Sequence, residues 1–369
     1  MSLKNKHIFI ITDIDKFFYL QANALIEKSK IKASSLCAIV IKGSGEDNFE
    51  KVKKVKGVEY IRYDEKIIDD IIQAKTITSM SLSSYNSWLI NKLIKTDESI
   101  LDKYYIFITD DEVDRWKSIC AKNGELIADD TKFMTKDDVE ILKKVKNMIA
   151  LKIVFEPVIS KILNRKINFI NTGVIFDTLE FKKHLQLEAL LSGYQVNNEF
   201  KILYGTKGVT KESIKEFYKF VSKLKLNNKK ISFVIFARHP LKIILLELIR
   251  LYLRIFKNKN FGINYLNHTD PLTYTCIVMS CSHIILQDRG GASTAKLFAK
   301  LGRGALCIKN NIHNSYFFEK GHNLEILKYN SIEHLRDLIM QRDVDLEKNS
   351  KQIMKLEREW IKIFKTLYN

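Results

Sequence analysis

The sequence predicts an α/β protein made of two Rossmann-like domains facing one another, and three observations carry that prediction. Short β-branched runs alternate with segments of helical period along most of the chain, the pattern of βαβ units around parallel sheets. The 369 residues exceed the roughly 250–300 that one hydrophobic core organises. Only three prolines and 14 glycines occur, too few turn formers for a many-stranded all-β protein.

The first series opens with an apolar strand at 7–12 (HIFIIT), a helix over 17–28 and a second strand at 36–42 (LCAIVIK). A strand at 58–63, a helical stretch over 85–96, a strand at 104–109 (YYIFIT) and an extended run at 167–176 (INFINTGVIF) follow. The second series starts at 200–204 (FKILY), then a helix over 211–224, a strand at 231–237 (ISFVIFA) and a helix after Pro240. A helix over 272–279, a strand at 283–287 (HIILQ), a helix over 293–301 and a strand at 304–309 complete it. The expected division is 1–195, 196–345 and a C-terminal amphipathic helix in 346–369. That last helix reads either as a closing helix on the core or as an interfacial helix with Trp360 and Phe364 in an anionic lipid surface.

The composition is globular, at 46% hydrophobic and 28% charged residues, which excludes collagen-like, disordered and coiled-coil classes. Its 61 Lys and Arg outweigh 43 Asp and Glu, a net charge of +18. That suits a phosphate-bearing partner, although an AT-rich coding bias would by itself raise the lysine count. The five cysteines form neither a CxxC pair nor a Cys/His cluster, so no metal site and a reducing, cytoplasmic setting are expected. The apolar run at the N-terminus is too short for a signal peptide. The stretch 241–256 (LKIILLELIRLYLRIF) is interrupted by Lys242, Glu247, Arg250 and Arg254, so it reads as a core helix with a polar stripe rather than a membrane span.

Ligands of parallel sheets sit beyond the carboxyl ends of the strands, and four such ends carry unusual residues. Asp110-Asp111-Glu112 follows YYIFIT; adjacent acids repel, which raises a pKa and suits a general base, while helix capping is the structural alternative. Asp129-Asp130 is a competing acidic pair. Arg238-His239-Pro240 follows ISFVIFA, where proline starts a helix and holds the imidazole at the sheet mouth. Asp288, Gly290, Gly291, Ser293 and Thr294 lie between HIILQ and a helix, a loop fit for an anion; Gly205-Thr206 is a weaker phosphate-tolerant loop.

This set resembles the bacterial sialyltransferases that build lipooligosaccharide and capsule, glycosyltransferase families 52, 80 and 38. Their order of an acidic motif, His-Pro and a Ser-Ser/Thr pair is kept as Asp110-Asp111, His239-Pro240 and Ser293-Thr294, with Glu112 standing where the families have glycine. The opening HIFIITDIDKFFYLQANALIE is also similar to the family 52 enzymes. The resemblance implies the GT-B architecture, an acceptor-side first domain and a donor-side second domain. It also implies metal-independent, inverting transfer of sialic acid from CMP-sialic acid to an oligosaccharide acceptor. Asp111 would be the base, with Asp110 or Asp130 as the alternatives. His239 would act on the leaving phosphate. Ser293 and Thr294, with Gly205, Thr206, Arg238, Pro240, Asp288, Gly290 and Gly291, would hold the nucleotide. Asp270 is offered for the ribose. The implied location is cytoplasmic, with peripheral contact to the anionic inner membrane.

Other readings stay open: a wall-polymer transferase using CDP-glycerol or a related alditol, a Kdo transferase, an inactive scaffold, or a basic nucleic-acid binder. The aromatic residues are not interleaved with basic ones as a stacking platform, so no nucleic acid is expected.

Overall fold

Strand–helix alternation produces two parallel sheets, one in each of two compact units. The computed structural model describes residues 3–43, 45–109, 111–177, 183, 186–187, 200–206, 208–224, 230–266, 270–286, 291–311, 315–341 and 344–369.

The first unit comprises Met1–Phe176 and Glu357–Asn369. In chain order it contains β1 (His7–Thr12), α1 (Phe18–Glu27), β2 (Leu36–Ile41), β3 (Glu59–Arg62), α2 (Ile68–Ile72), β4 (Thr76–Met80), α3 (Ser87–Thr96), β5 (Tyr104–Phe107), α4 (Asp111–Asn123), α5 (Lys136–Lys144), β6 (Asn147–Ala150), α6 (Lys152–Leu163) and β7 (Asn168–Asn171). The strand order is β3-β2-β1-β4-β5-β6-β7, and all pairs are parallel. Chain direction reverses between β1 and β4, the switch point of a doubly wound sheet. β4 (TITSM) is central yet rich in hydroxyls. Its Thr76 Oγ1 lies 3.0 Å from His7 Nδ1, Thr78 Oγ1 3.1 Å from the Tyr368 hydroxyl, and Ser79 Oγ 2.8 Å from the Tyr104 hydroxyl. Each buried hydroxyl thus has a partner, which removes the penalty of burying it unpaired.

The second unit, Asp177–Leu356, contains β8 (Phe200–Tyr204), α7 (Lys211–Lys223), β9 (Ile231–Phe236), α8 (Pro240–Lys257), β10 (Phe261–Leu266), α9 (Pro271–Met279), β11 (His283–Leu286), α10 (Ala292–Lys300), β12 (Ala305–Lys309), β13 (Leu327–Tyr329) and α11 (Ile332–Gln341). Its order, β10-β9-β8-β11-β12-β13, repeats the same doubly wound scheme. Alternation along β8 sends Ile202 and Tyr204 to a cluster with Phe217, Phe233 and Leu253, and Leu203 to one with Val234, Phe298 and Ile353. Both faces are therefore covered, as a parallel sheet requires.

The division falls after Phe176, well before residue 195, which itself lies outside the described residues. The C-terminal helix α12 (Leu346–Leu367) is not a separate segment, because its residues belong to both units. In the second unit Ile353 joins the core and Ser350 Oγ donates to the Lys300 carbonyl at 2.6 Å. In the first, Trp360 is 3% exposed and Phe364 fully buried, the latter stacked on Phe107 at 6.1 Å. An added Cβ on Gly173 would lie 2.7 Å from the Trp360 ring. Burial of these aromatics rules out their insertion into lipid, so α12 is a closing helix.

The opposite correction applies to α8. Only Leu246 and Leu253 along it are fully buried, while Leu241, Ile244, Leu248, Leu251, Ile255 and Phe256 are exposed. The expected core helix is core on one narrow face. It stops at Asn258, whose left-handed backbone (φ 49°) ends the helical hydrogen bonding.

Candidate functional site

The switch point of the second sheet lies between β8 and β11, and there two loops meet. Gly205 directly follows β8 at φ 77°, a conformation glycine adopts without strain, and its N–H donates to the Ile285 carbonyl of β11 at 2.9 Å. Gly291 precedes α10 at φ 74°, and a Cβ built on it would sit 2.3 Å from Thr206 Oγ1. Only a residue without a side chain allows the α10 N-terminus to approach Thr206 this closely. Gly205, Thr206 and Gly291 are therefore brought together.

The N-cap of α10 is Gly291, which has no side chain to cap the first N–H groups of the helix. Ser293 is exposed there, whereas Thr294 is buried and its hydroxyl lies 2.8 Å from that of Tyr274. Thr294 thus secures α10 to α9, and Ser293 with the backbone N–H groups is the outward-facing part of the pair. Asp288 and Gly290 lie outside the described residues.

Arg238, His239 and Pro240 follow β9 and are all exposed. Pro240 is the first helical residue of α8, and His239 is its N-cap with a carbonyl accepting from Lys242 N–H at 3.0 Å. The imidazole does not cap the helix, so it is not committed to a structural task there. Because β8 lies between β9 and β11, His239 is two strand spacings from the α10 loop, about 10 Å across the same carboxyl edge. Asp270 is the N-cap of α9, accepting from Leu272 N–H at 2.9 Å, Thr273 N–H at 3.0 Å and Thr273 Oγ1 at 2.6 Å. Those bonds hold its carboxyl below the usual range and give it a structural task.

In the first unit, Asp110 lies outside the described residues, and Asp111 begins α4 as an exposed side chain. Glu112 is the buried acid of the run. Its two carboxylate oxygens accept from Thr109 N–H and Thr109 Oγ1, both at 2.8 Å, and burial raises its pKa against those bonds. Glu112 braces the β5–α4 turn from within. Asp130 is exposed in a short turn between α4 and α5, not at a strand end. Its neighbour Asp129 caps that turn, accepting from Thr131 N–H at 2.9 Å.

Sequence reasoning missed a cavity of about 260 Å³ at the switch point of this first sheet, walled by apolar side chains such as Ile14, Phe17 and Met80 together with polar ones. Thr12, Asp15, Ser81, Tyr85, Asn86 and Thr109 are among its lining residues. Asp15 Oδ1 accepts from Phe17 N–H at 2.9 Å and Phe18 N–H at 2.7 Å, while burial pushes its pKa up. Ser81 holds φ 70°, unusual for a residue with a side chain. The available signal was Asp15 lying three residues past the apolar run HIFIIT, one strand-end acid not weighed.

Among the described residues, no group of three or more His, Cys, Asp or Glu side chains is arranged to hold a metal ion. Likewise, no helix among them is long and apolar enough to cross a membrane.

No protein-family model matches the chain, and no curated protein matches it by sequence. Solved structures do match. A sucrose-phosphate synthase from Thermosynechococcus elongatus is similar with a TM-score of 0.57 at 11% identity, over 99% of this chain and 95% of that one. A glycosyltransferase from Rickettsia africae has a TM-score of 0.54 at 14% identity, over 98% and 99% of the two chains. Anabaena HepE, solved with UDP and glucose, has a TM-score of 0.54 at 10% identity, over 98% and 97%. With its two doubly wound sheets, the chain has the GT-B glycosyltransferase fold.

Proposed function

We propose that this protein transfers a sugar from a nucleotide-activated donor, and that the carboxyl edge of the second sheet binds the nucleotide. The observation that carries this is the contact of Gly291 with Thr206, which lays a helix N-terminus capped by a glycine against the loop after the central strand. Such a terminus favours phosphate through its free N–H groups and its dipole. Ser293 would donate to the phosphate, and Arg238 would add permanent charge nearby.

For the donor we assign CMP-sialic acid and, for the acceptor, a cell-surface glycan of the lipooligosaccharide or capsule type. The support is the order of acid, His-Pro and Ser-Thr. In the reaction, Asp111 would take the proton of an acceptor hydroxyl. That oxygen would attack the anomeric carbon as its bond to the phosphate oxygen breaks. His239 would donate a hydrogen bond or proton to the departing phosphate, and such acid or base assistance is worth about 10²–10⁴ in rate. The cavity in the first unit supports Asp15 as a second candidate base, because its carboxylate lines that space together with Thr12, Ser81, Asn86 and Thr109. A UDP-sugar is the second reading for the donor, favoured by the UDP and glucose bound to Anabaena HepE.

Calorimetric titration with CMP, CDP and UDP, followed by hydrolysis assays on CMP-sialic acid, CDP-glycerol and UDP-glucose, tests the assignment. Preference for CMP with release of sialic acid supports it. Preference for UDP transfers the assignment to a UDP-sugar, and binding of no nucleotide overturns both.

A further inference from the structure

The exposed face of α8 gathers more exposed large apolar side chains than any other element among the described residues. Leu241 and Phe256, at its two ends, are each 68% exposed. With Ile244, Leu248, Leu251 and Ile255 they fall within an arc of about 140° at 100° per residue. Leu246 and Leu253 anchor the opposite side to the core, so the helix is held with its apolar arc outward.

The charges around that arc are one-sided. Lys242, Arg250, Arg254 and Lys257 stand against a single acid, Glu247. Glu247 is engaged by Arg250 at 2.6 Å and accepts from the Tyr265 hydroxyl at 2.8 Å. A groove of about 350 Å³ beside the arc includes Leu248, Leu251, Arg254 and Lys259 in its walls. Two copies joined through this face by a twofold axis would set cationic rim against cationic rim, in a chain carrying +18. An anionic bilayer presents the complementary charge and accepts apolar side chains to the depth of the headgroup boundary.

We infer that α8 is a membrane-docking helix that lies in the interface of a bilayer rich in anionic phospholipid. It inserts its apolar arc among the acyl chains, while Arg254 and Lys257 meet the headgroup phosphates. This inference does not depend on the proposed reaction.

Co-sedimentation of the full chain with phosphatidylcholine vesicles, with and without phosphatidylglycerol, tests it. The expected result is retention on the phosphatidylglycerol vesicles, reduced at least roughly tenfold in Leu248→Ser/Ile255→Ser with an unchanged melting temperature. Arg254→Gln and Lys257→Gln should each weaken retention about fivefold. No retention by the native chain, or retention that Leu248→Ser/Ile255→Ser leaves intact, overturns the proposal. So does a dimer in sedimentation equilibrium that those two substitutions dissociate, since the face then joins two copies.

Discussion

Gly291 and Thr206, 85 positions apart in the chain, are packed so closely that a β-carbon on the glycine would lie 2.3 Å from Thr206 Oγ1 and 2.7 Å from its Cγ2. The backbone of Gly291 is also left-handed, at φ 74°. Gly291→Ala therefore meets both a clash and an unfavourable conformation, with an expected loss of about 1–3 kcal/mol. Thr206→Gly removes the clashing atoms, so the double variant should recover part of that loss in denaturant melts. Equal stability of Gly291→Ala and the native chain would show that the two loops do not meet.

His239 is exposed and does not cap α8, so replacing it should not disturb the fold. His239→Ala is expected to lower kcat at least tenfold, the lower end of acid–base assistance being about 10²-fold, with the melting temperature unchanged. Steady-state kinetics on the donor identified by titration checks this, and undiminished turnover would remove His239 from the reaction.

Asp177 is buried between Lys296 Nζ at 3.6 Å and Lys300 Nζ at 3.2 Å, the carboxylate side chain being 1% exposed. Two ammonium groups on α10 thus hold the start of the second unit. Asp177→Ala leaves Lys296 buried without this partner, and breaking a buried pair from one side costs about 3–5 kcal/mol. Urea unfolding followed by circular dichroism should show the drop. Asp177→Ala with Lys296→Met should be less damaging than the single change, because the buried ammonium group that Asp177 partnered is gone.

His7 is buried on β1 beside Thr76, its ring edge-on to Tyr368 at 5.3 Å. Burial, and secondarily the charge of Lys75, lowers its pKa to about 4. The unfolded chain, with the ordinary value near 6.5, binds the proton first as pH falls. Stability is thus fully present above about pH 6.5 and is lost progressively down to about pH 4, a total of order 3 kcal/mol. His7→Asn should flatten the upper part of that slope, between pH 6.5 and 5, where few carboxylates titrate. A native profile already flat there would contradict a neutral buried imidazole.

Local periodicity and β-branching determined a good part of this molecule. HIFIIT, FKILY, ISFVIF and HIIL are strands, and the residues after FKILY and ISFVIF were readable as strand-end loops. Tertiary contacts decided what local pattern cannot encode. TITSM does not look like a central strand, because its hydroxyls are acceptable in a core only through partners as distant as Tyr368, 290 positions away. The apolar runs of α8 and α12 look alike in sequence. One finds aromatic partners on a sheet, as Phe364 finds Phe107, and the other keeps most of its apolar surface outside. Nothing in local pattern tells the carboxylates Asp15, Glu112 and Asp270 apart in environment. Cavity lining, burial under Thr109 and three capping bonds separated them, since the environment of a charge is set by the atoms folded around it.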